Sequence, residues 1–197
     1  MGHRAKLAGS LFLTLLAIGC IAVAYSFPWY RVVLEPTTDD DINTYYYWTK
    51  YRLTNSDNEQ ISEDDYDDNN KNVKQVFTVS LSFLTAAAFA ALGTAIFQII
   101  GIISKSRFIR ILSGIGGLAI AILAAIAFFT FFGITKGFDK DNSCLLIPFK
   151  DDYCTSFMAS SENIMKSTLT FGPYIGWWVT IGSICFGLLS GITSFLA

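Results

Sequence analysis

Four stretches of this chain contain no Asp, Glu, Lys, Arg or His: Leu7 to Tyr30, Gln75 to Ser104, Ile111 to Thr135 and Ser167 to Ala197. A helix rises about 1.5 Å per residue, so roughly 20 residues cross a hydrocarbon layer about 30 Å thick. Each run exceeds that length. With 52% of its residues hydrophobic and only 15% charged, the chain carries more apolar surface than a soluble core hides, and lipid is its expected solvent. The reading is an all-α membrane protein, a four-helix transmembrane bundle with a small extracellular antiparallel β-sheet in the first outer loop. A single domain covers 1–197, with spans at about 7–28, 75–104, 111–135 and 170–196, outer loops 29–74 and 136–169, and an inner turn at 105–110.

Charge placement orients it. All 16 acidic residues fall in the two long loops, whereas Arg4, Lys6, Lys105, Arg107 and Arg110 occupy the short remaining segments with no acid among them. Basic density near span ends marks the cytoplasmic side. Both termini and the 105–110 turn are therefore expected in the cytoplasm, in a multi-pass protein whose long spans favour the plasma membrane. The first apolar run is read as a span rather than a cleaved leader, because Pro28-Trp29-Tyr30 looks like an interfacial anchor and not a small-residue exit.

The four cysteines divide in the same way. Cys20 and Cys185 lie in apolar runs, and Cys144 and Cys154 lie in the second outer loop, where an oxidising compartment predicts a disulfide between them.

The first outer loop contains two segments rich in β-branched and aromatic residues, Trp29 to Leu34 and Tyr45 to Leu53, separated by turn formers. They predict an antiparallel pair. A small sheet cannot bury aromatics on both faces. One face of the strand holding Tyr45, Tyr46, Tyr47, Trp48 and Tyr51 should pack on helix ends; the other, together with Trp29, is either a lipid-interface belt or a contact surface for protein. Thr54 to Lys71 is almost wholly polar and reads as a solvated, mobile segment. Its cluster Glu63, Asp64, Asp65, Asp67 and Asp68 lacks the glycine and distal Glu of a calcium loop, which favours a solvated acidic face.

Small residues recur at four-residue steps in the apolar runs, including Gly117 with Ala121 and Gly187 with Gly191. Helices in lipid associate through such close-packing faces. Gln98, the most polar side chain at membrane depth, is expected to make an interhelical hydrogen bond. No Asp, Glu, Lys, Arg or His falls at that depth, which disfavours pumps and coupled transporters. Neither loop offers a nucleophile with its base, a metal-ligand spacing or a phosphate-binding glycine loop. No enzyme, catalytic residue, cofactor, metal, nucleic-acid partner or small-molecule substrate is therefore expected; the partners foreseen are the lipid bilayer and a second copy or other membrane proteins.

Two local patterns add a resemblance. Pro28-Trp29-Tyr30-Arg31-Val32 is similar to the Pro-x-Trp-Arg-Val that leaves the first span of claudins, with one residue inserted. Gly172-Pro173-Tyr174-Ile175-Gly176-Trp177 is similar to the Gly-x-x-Tyr-x-Gly-Trp entry to their fourth span, one residue shorter. With the span layout, the chain resembles the claudin-like and peripheral myelin protein-like tetraspan superfamily. It departs from claudins in lacking the first-loop cysteine pair and the Gly-Leu before Trp48, so a paracellular barrier or pore is not implied. The resemblance implies a non-enzymatic tetraspan protein organising membrane or cell-surface contacts through its outer loops. Alternatives are a channel or auxiliary channel subunit, with an acidic mouth and hydroxyls such as Ser80, Ser82, Thr85 and Thr94 as lining, and a membrane stress or trafficking factor.

Overall fold

The computed structural model describes residues 3–36, 41–104, 106–143, 154–162 and 167–197. The chain is mostly helical, with one antiparallel sheet. In order, the elements are α1 (His3–Ser26), β1 (Tyr30–Glu35), β2 (Ile42–Tyr46), β3 (Lys50–Thr54), β4 (Gln60–Asp65), a 3-10 turn (Asp68–Asn70) and α2 (Lys71–Ser104). There follow α3 (Arg107–Thr130), a 3-10 turn (Phe131–Gly133), α4 (Ile134–Lys140), β5 (Ala159–Glu162), β6 (Thr168–Pro173) and α5 (Ile175–Phe195). Four helical stretches, Arg4–Ser26, Asp68–Ser104, Arg107–Lys140 and Ile175–Phe195, are long and apolar enough to cross a membrane, the pattern of a multi-pass membrane protein.

The chain divides into two compact units rather than one. A helical unit comprises Met1–Ala24, Leu81–Phe129 and Val179–Ala197; a sheet unit comprises Tyr25–Ser80 and Thr130–Trp178.

In the helical unit the usual polarity of a protein is inverted. Ser10, Thr14, Thr94, Gln98, Ser113, Ser183, Ser190 and Ser194 are buried, while Phe12, Phe89, Ile103, Phe108, Ile122 and Phe129 are each more than half exposed. Water would penalise such a surface; hydrocarbon does not, and polar groups then seek each other inside. Close approach accompanies this. A Cβ added at Gly117 would overlap the Gly191 amide, one at Gly191 would sit 3.0 Å from Gly114 O and Leu118 N, and one at Gly187 would sit 3.1 Å from Ala121 N. Gly117, Ala121, Gly187 and Gly191 thus share one α3–α5 seam in which backbones touch. Ala17, Ala91 and Ile120 fill the centre, with Phe186 packed against them.

The sheet unit holds six strands in the order β4-β3-β2-β1-β6-β5, with antiparallel pairing throughout. The sheet is therefore not confined to the segment between the first two long helices, since β5 and β6 come from between the last two. Thr168-Leu169-Thr170-Phe171 alternates β-branched and apolar residues and pairs with β1 from Tyr30↔Pro173 to Glu35↔Thr168, so the last helix begins at Ile175 and not near 170. The segment read as solvated and mobile also contains structure. β4 pairs with β3, and Glu63 accepts from Lys50 Nζ at 2.6 Å and from Arg52 Nη2 at 2.7 Å.

α2 extends to Lys71 because its start is capped from a distant segment. Asp141 Oδ1 accepts from the Asn72 amide at 3.0 Å and Oδ2 from the Val73 amide at 2.8 Å. These are orphan first-turn donors, and a carboxylate also suits the positive end of the helix dipole.

Candidate functional site: the sheet face opposite the aromatic core

Strand period two sorts the aromatic residues onto opposite faces. Tyr30, Tyr46 and Tyr51 share one face through the pairs Tyr30↔Tyr46 and Tyr46↔Tyr51. That face is the core of the sheet unit. Trp29 packs 4.2 Å from Trp48 and 5.1 Å from Phe131, Tyr46 lies 5.3 Å from Phe138, and Trp48 lies 6.1 Å from Phe77, centroid to centroid. A Cβ at Gly176 would strike the Trp29 indole, so only glycine lets the start of α5 lie against it. Buried phenols find partners: Tyr30 Oη donates to Phe157 O at 3.0 Å and Tyr66 Oη to Tyr47 O at 2.8 Å. Burial pushes both hydroxyls well above the usual phenol range, so they remain donors.

This placement corrects part of the sequence reading. Trp29 is fully buried and Trp48 is 8% exposed; neither is a contact surface, because each fills the space between the sheet and the aromatic rings of the adjoining helical turns. Tyr46 and Tyr51 turn to the same side.

The opposite face holds Arg31, Asn43, Tyr45, Tyr47, Arg52 and Tyr174. The Arg31 guanidinium lies 5.4 Å from the centre of the Tyr45 ring and 5.7 Å from that of Tyr174, and its Nη2 donates to Asn43 Oδ1 at 2.6 Å. The two tyrosine rings are 5.5 Å apart. Arg52 sits 5.4 Å over Tyr47. The cations differ in compensation. Lys50 and Arg52 share Glu63, whereas Arg31 Nε is buried with no hydrogen-bond partner among the described residues. Burial raises the Tyr45 phenol, an effect that the Arg31 charge partly offsets and a hydrogen bond with Tyr174 reinforces, so Tyr45 keeps its proton beside a guanidinium.

Two clefts flank the Tyr45–Tyr174 pair. One, of about 260 Å³, lies between Arg31, Thr170, Tyr174 and Trp178; the other, of about 250 Å³, lies between Phe27, Tyr45, Arg52 and Tyr174. Both fall below the roughly 300–1,000 Å³ of ligand pockets. Such dimples suit the side chains of a facing surface. Arg31 and Tyr174 were not expected here from sequence; the alternation that puts Tyr30 and Val32 inward puts Arg31 outward, but only β6 brings Tyr174 beside it.

The helical unit has a second polar assembly. Gln98 Nε2 donates to Ser10 Oγ at 2.7 Å and Ser190 Oγ at 2.9 Å, and its Oε1 accepts from Thr14 Oγ1 at 2.9 Å. Ser10 Oγ meets Ser194 Oγ at 2.6 Å. The node ties α1, α2 and α5 together without an ionisable group.

Among the described residues no group of three or more His, Cys, Asp or Glu side chains could hold a metal ion. Cys20 and Cys185 are free thiols; Cys144, half of the expected disulfide, lies outside the described residues. No family model matches the chain, and no curated protein is significantly similar to it.

Proposed function

We propose that this chain is a non-enzymatic four-span protein, claudin-like in layout, that organises membrane or cell-surface contacts through its extracytoplasmic sheet. The proposal places both termini in the cytoplasm and the protein in the plasma membrane, with Cys144 and Cys154 joined in the second outer loop. The observation that carries it is the Tyr–Arg face of the sheet. Tyrosine and arginine dominate the energetics of protein interfaces, since they offer large, stiff, amphipathic area. Here Arg31, Tyr45 and Tyr174 hold one another in place through ring and cation contacts, and Arg52 lies over Tyr47 beside them.

The runs at membrane depth hold no Asp, Glu, Lys, Arg or His to line an ion pathway, which favours the contact reading over a pore.

The test compares a tagged chain in isolated cells and in cells that touch. Enrichment at contacts is expected for the wild type and should fall to background when Tyr45→Ala and Arg31→Ala are combined. Trp48→Ala, a core change, should instead lower the amount of folded protein. Uniform distribution of the wild type would overturn the proposal.

A further inference from the structure

We infer that the helical unit carries a binding site for one anionic phospholipid between the start of α1 and the end of α5. A groove in that unit has a volume of about 530 Å³ and is lined by Ala5, Lys6, Gly9, Phe12, Leu13, Thr193 and Leu196. Three features make it a site rather than a rough patch of helix surface.

Its walls are fixed. On the far side of the α1–α5 pair, Ser10 Oγ bonds to Ser190 O at 2.8 Å and to Ser194 Oγ at 2.6 Å, and Thr14 Oγ1 meets Ser190 Oγ at 2.7 Å. These contacts set the separation of the two helices before any lipid arrives.

Its floor is open and apolar. A Cβ built on Gly9 would meet nothing within 4 Å, while Phe12, 61% exposed, and Leu196, 65% exposed, stand on opposite sides. The Thr193 hydroxyl is spent on its own helix, donating to Leu189 O at 2.8 Å. An acyl chain fits such a trough and is held there by van der Waals packing, the force that remains between apolar surfaces inside hydrocarbon.

One end is basic. Lys6 Nζ closes the groove by donating to the Leu196 carbonyl at 2.7 Å, a neutral acceptor. An ammonium has three donors and this contact uses one. A phosphate at the groove mouth would take another while its acyl chain runs past Gly9. The site rests on the four-span reading and is independent of the contact face.

Full-length protein in detergent, mixed with phosphatidylglycerol and phosphatidylcholine of identical chains, can be read by native mass spectrometry. The wild type is expected to retain one phosphatidylglycerol preferentially. Lys6→Gln should lower that preference about fivefold, the factor expected for one lysine at an anionic surface. Gly9→Leu, which fills open space and so preserves the fold, should lower retention of either lipid. Glycerol 3-phosphate should not compete, since it has no acyl chain. Equal retention of the two lipids by the wild type, unchanged preference in Lys6→Gln, unchanged retention in Gly9→Leu, or competition by glycerol 3-phosphate would each overturn the assignment.

Discussion

Replacing Gln98 with Met keeps the length and bulk of the side chain and removes the hydrogen bonds that join three helices. The amide makes three good bonds, to Ser10, Ser190 and Thr14, and a longer one of 3.3 Å to Ser194. Interhelical hydrogen bonds in lipid average about 0.6 kcal/mol each, which puts the loss near 2 kcal/mol. That is close to an upper bound, because the hydroxyls left behind retain acceptors: Ser10 Oγ still reaches Ser190 O, and Thr14 Oγ1 still reaches Ser10 O at 3.1 Å. No buried donor is orphaned. Reversible unfolding in bicelles, followed by steric trapping, resolves a change of this size. A double-mutant cycle with Ser10→Ala then isolates the direct Gln98–Ser10 contribution. Gln98→Met within about 0.5 kcal/mol of wild type, below the average for even one such bond, would refute the reasoning, and so would a coupling of zero.

Other outcomes follow from the sheet unit. Asp141→Ala removes the cap from the Asn72 and Val73 amides and should cost about 1–2 kcal/mol, as loss of a helix cap does; hydrogen exchange should speed up in the first turn of α2 while β1 is unaffected. Glu63 has its carboxyl held below the usual value of 4.5, first by the hydrogen bond from Lys50 and then by that from Arg52. A depressed folded-state value means that its stabilisation is present above the unfolded value and is lost as pH falls through the folded one. Exchange of β4 amides, corrected for intrinsic rates, should therefore be flat from pH 7 to 5.5 and accelerate only below about 4.5. The variant Glu63→Gln should abolish that acceleration.

The four long apolar helices were legible because absence of charge over 20 or more residues has few other meanings in a folded chain. Their ends were less so. The start of α2 depends on a carboxylate from Asp141, 69 positions from Asn72, and Thr170 to Pro173 passes for the start of a helix until β1 offers it a ladder. Gln98 was expected to bond between helices, but its partners Ser10, Thr14, Ser190 and Ser194 are small hydroxyl residues with no individual signature. β4 was hidden by its composition. Gln60-Ile61-Ser62-Glu63-Asp64-Asp65 reads as solvated coil, and a strand emerges only because Lys50 and Arg52 on β3 neutralise Glu63 from the neighbouring register. Trp29 and Trp48 have the composition of either a membrane-interface belt or a core. Alternation correctly separates Tyr46 from Tyr45, yet it cannot say which face is covered without Phe77, Phe131 and Phe138 in view.

Four spans with cytoplasmic termini and an extracytoplasmic sheet underlie the whole account, and impermeant thiol labelling of intact cells tests it most directly. Single cysteines would replace Asp57, in the β3–β4 turn, and Ser106, between α2 and α3, in a chain whose four native cysteines, Cys20, Cys144, Cys154 and Cys185, have been changed to Ser. Labelling at position 57 before lysis and at position 106 only after lysis is the expected result. The reverse pattern would invert the topology and place the Tyr–Arg face in the cytoplasm, where it could not mediate contacts between cells.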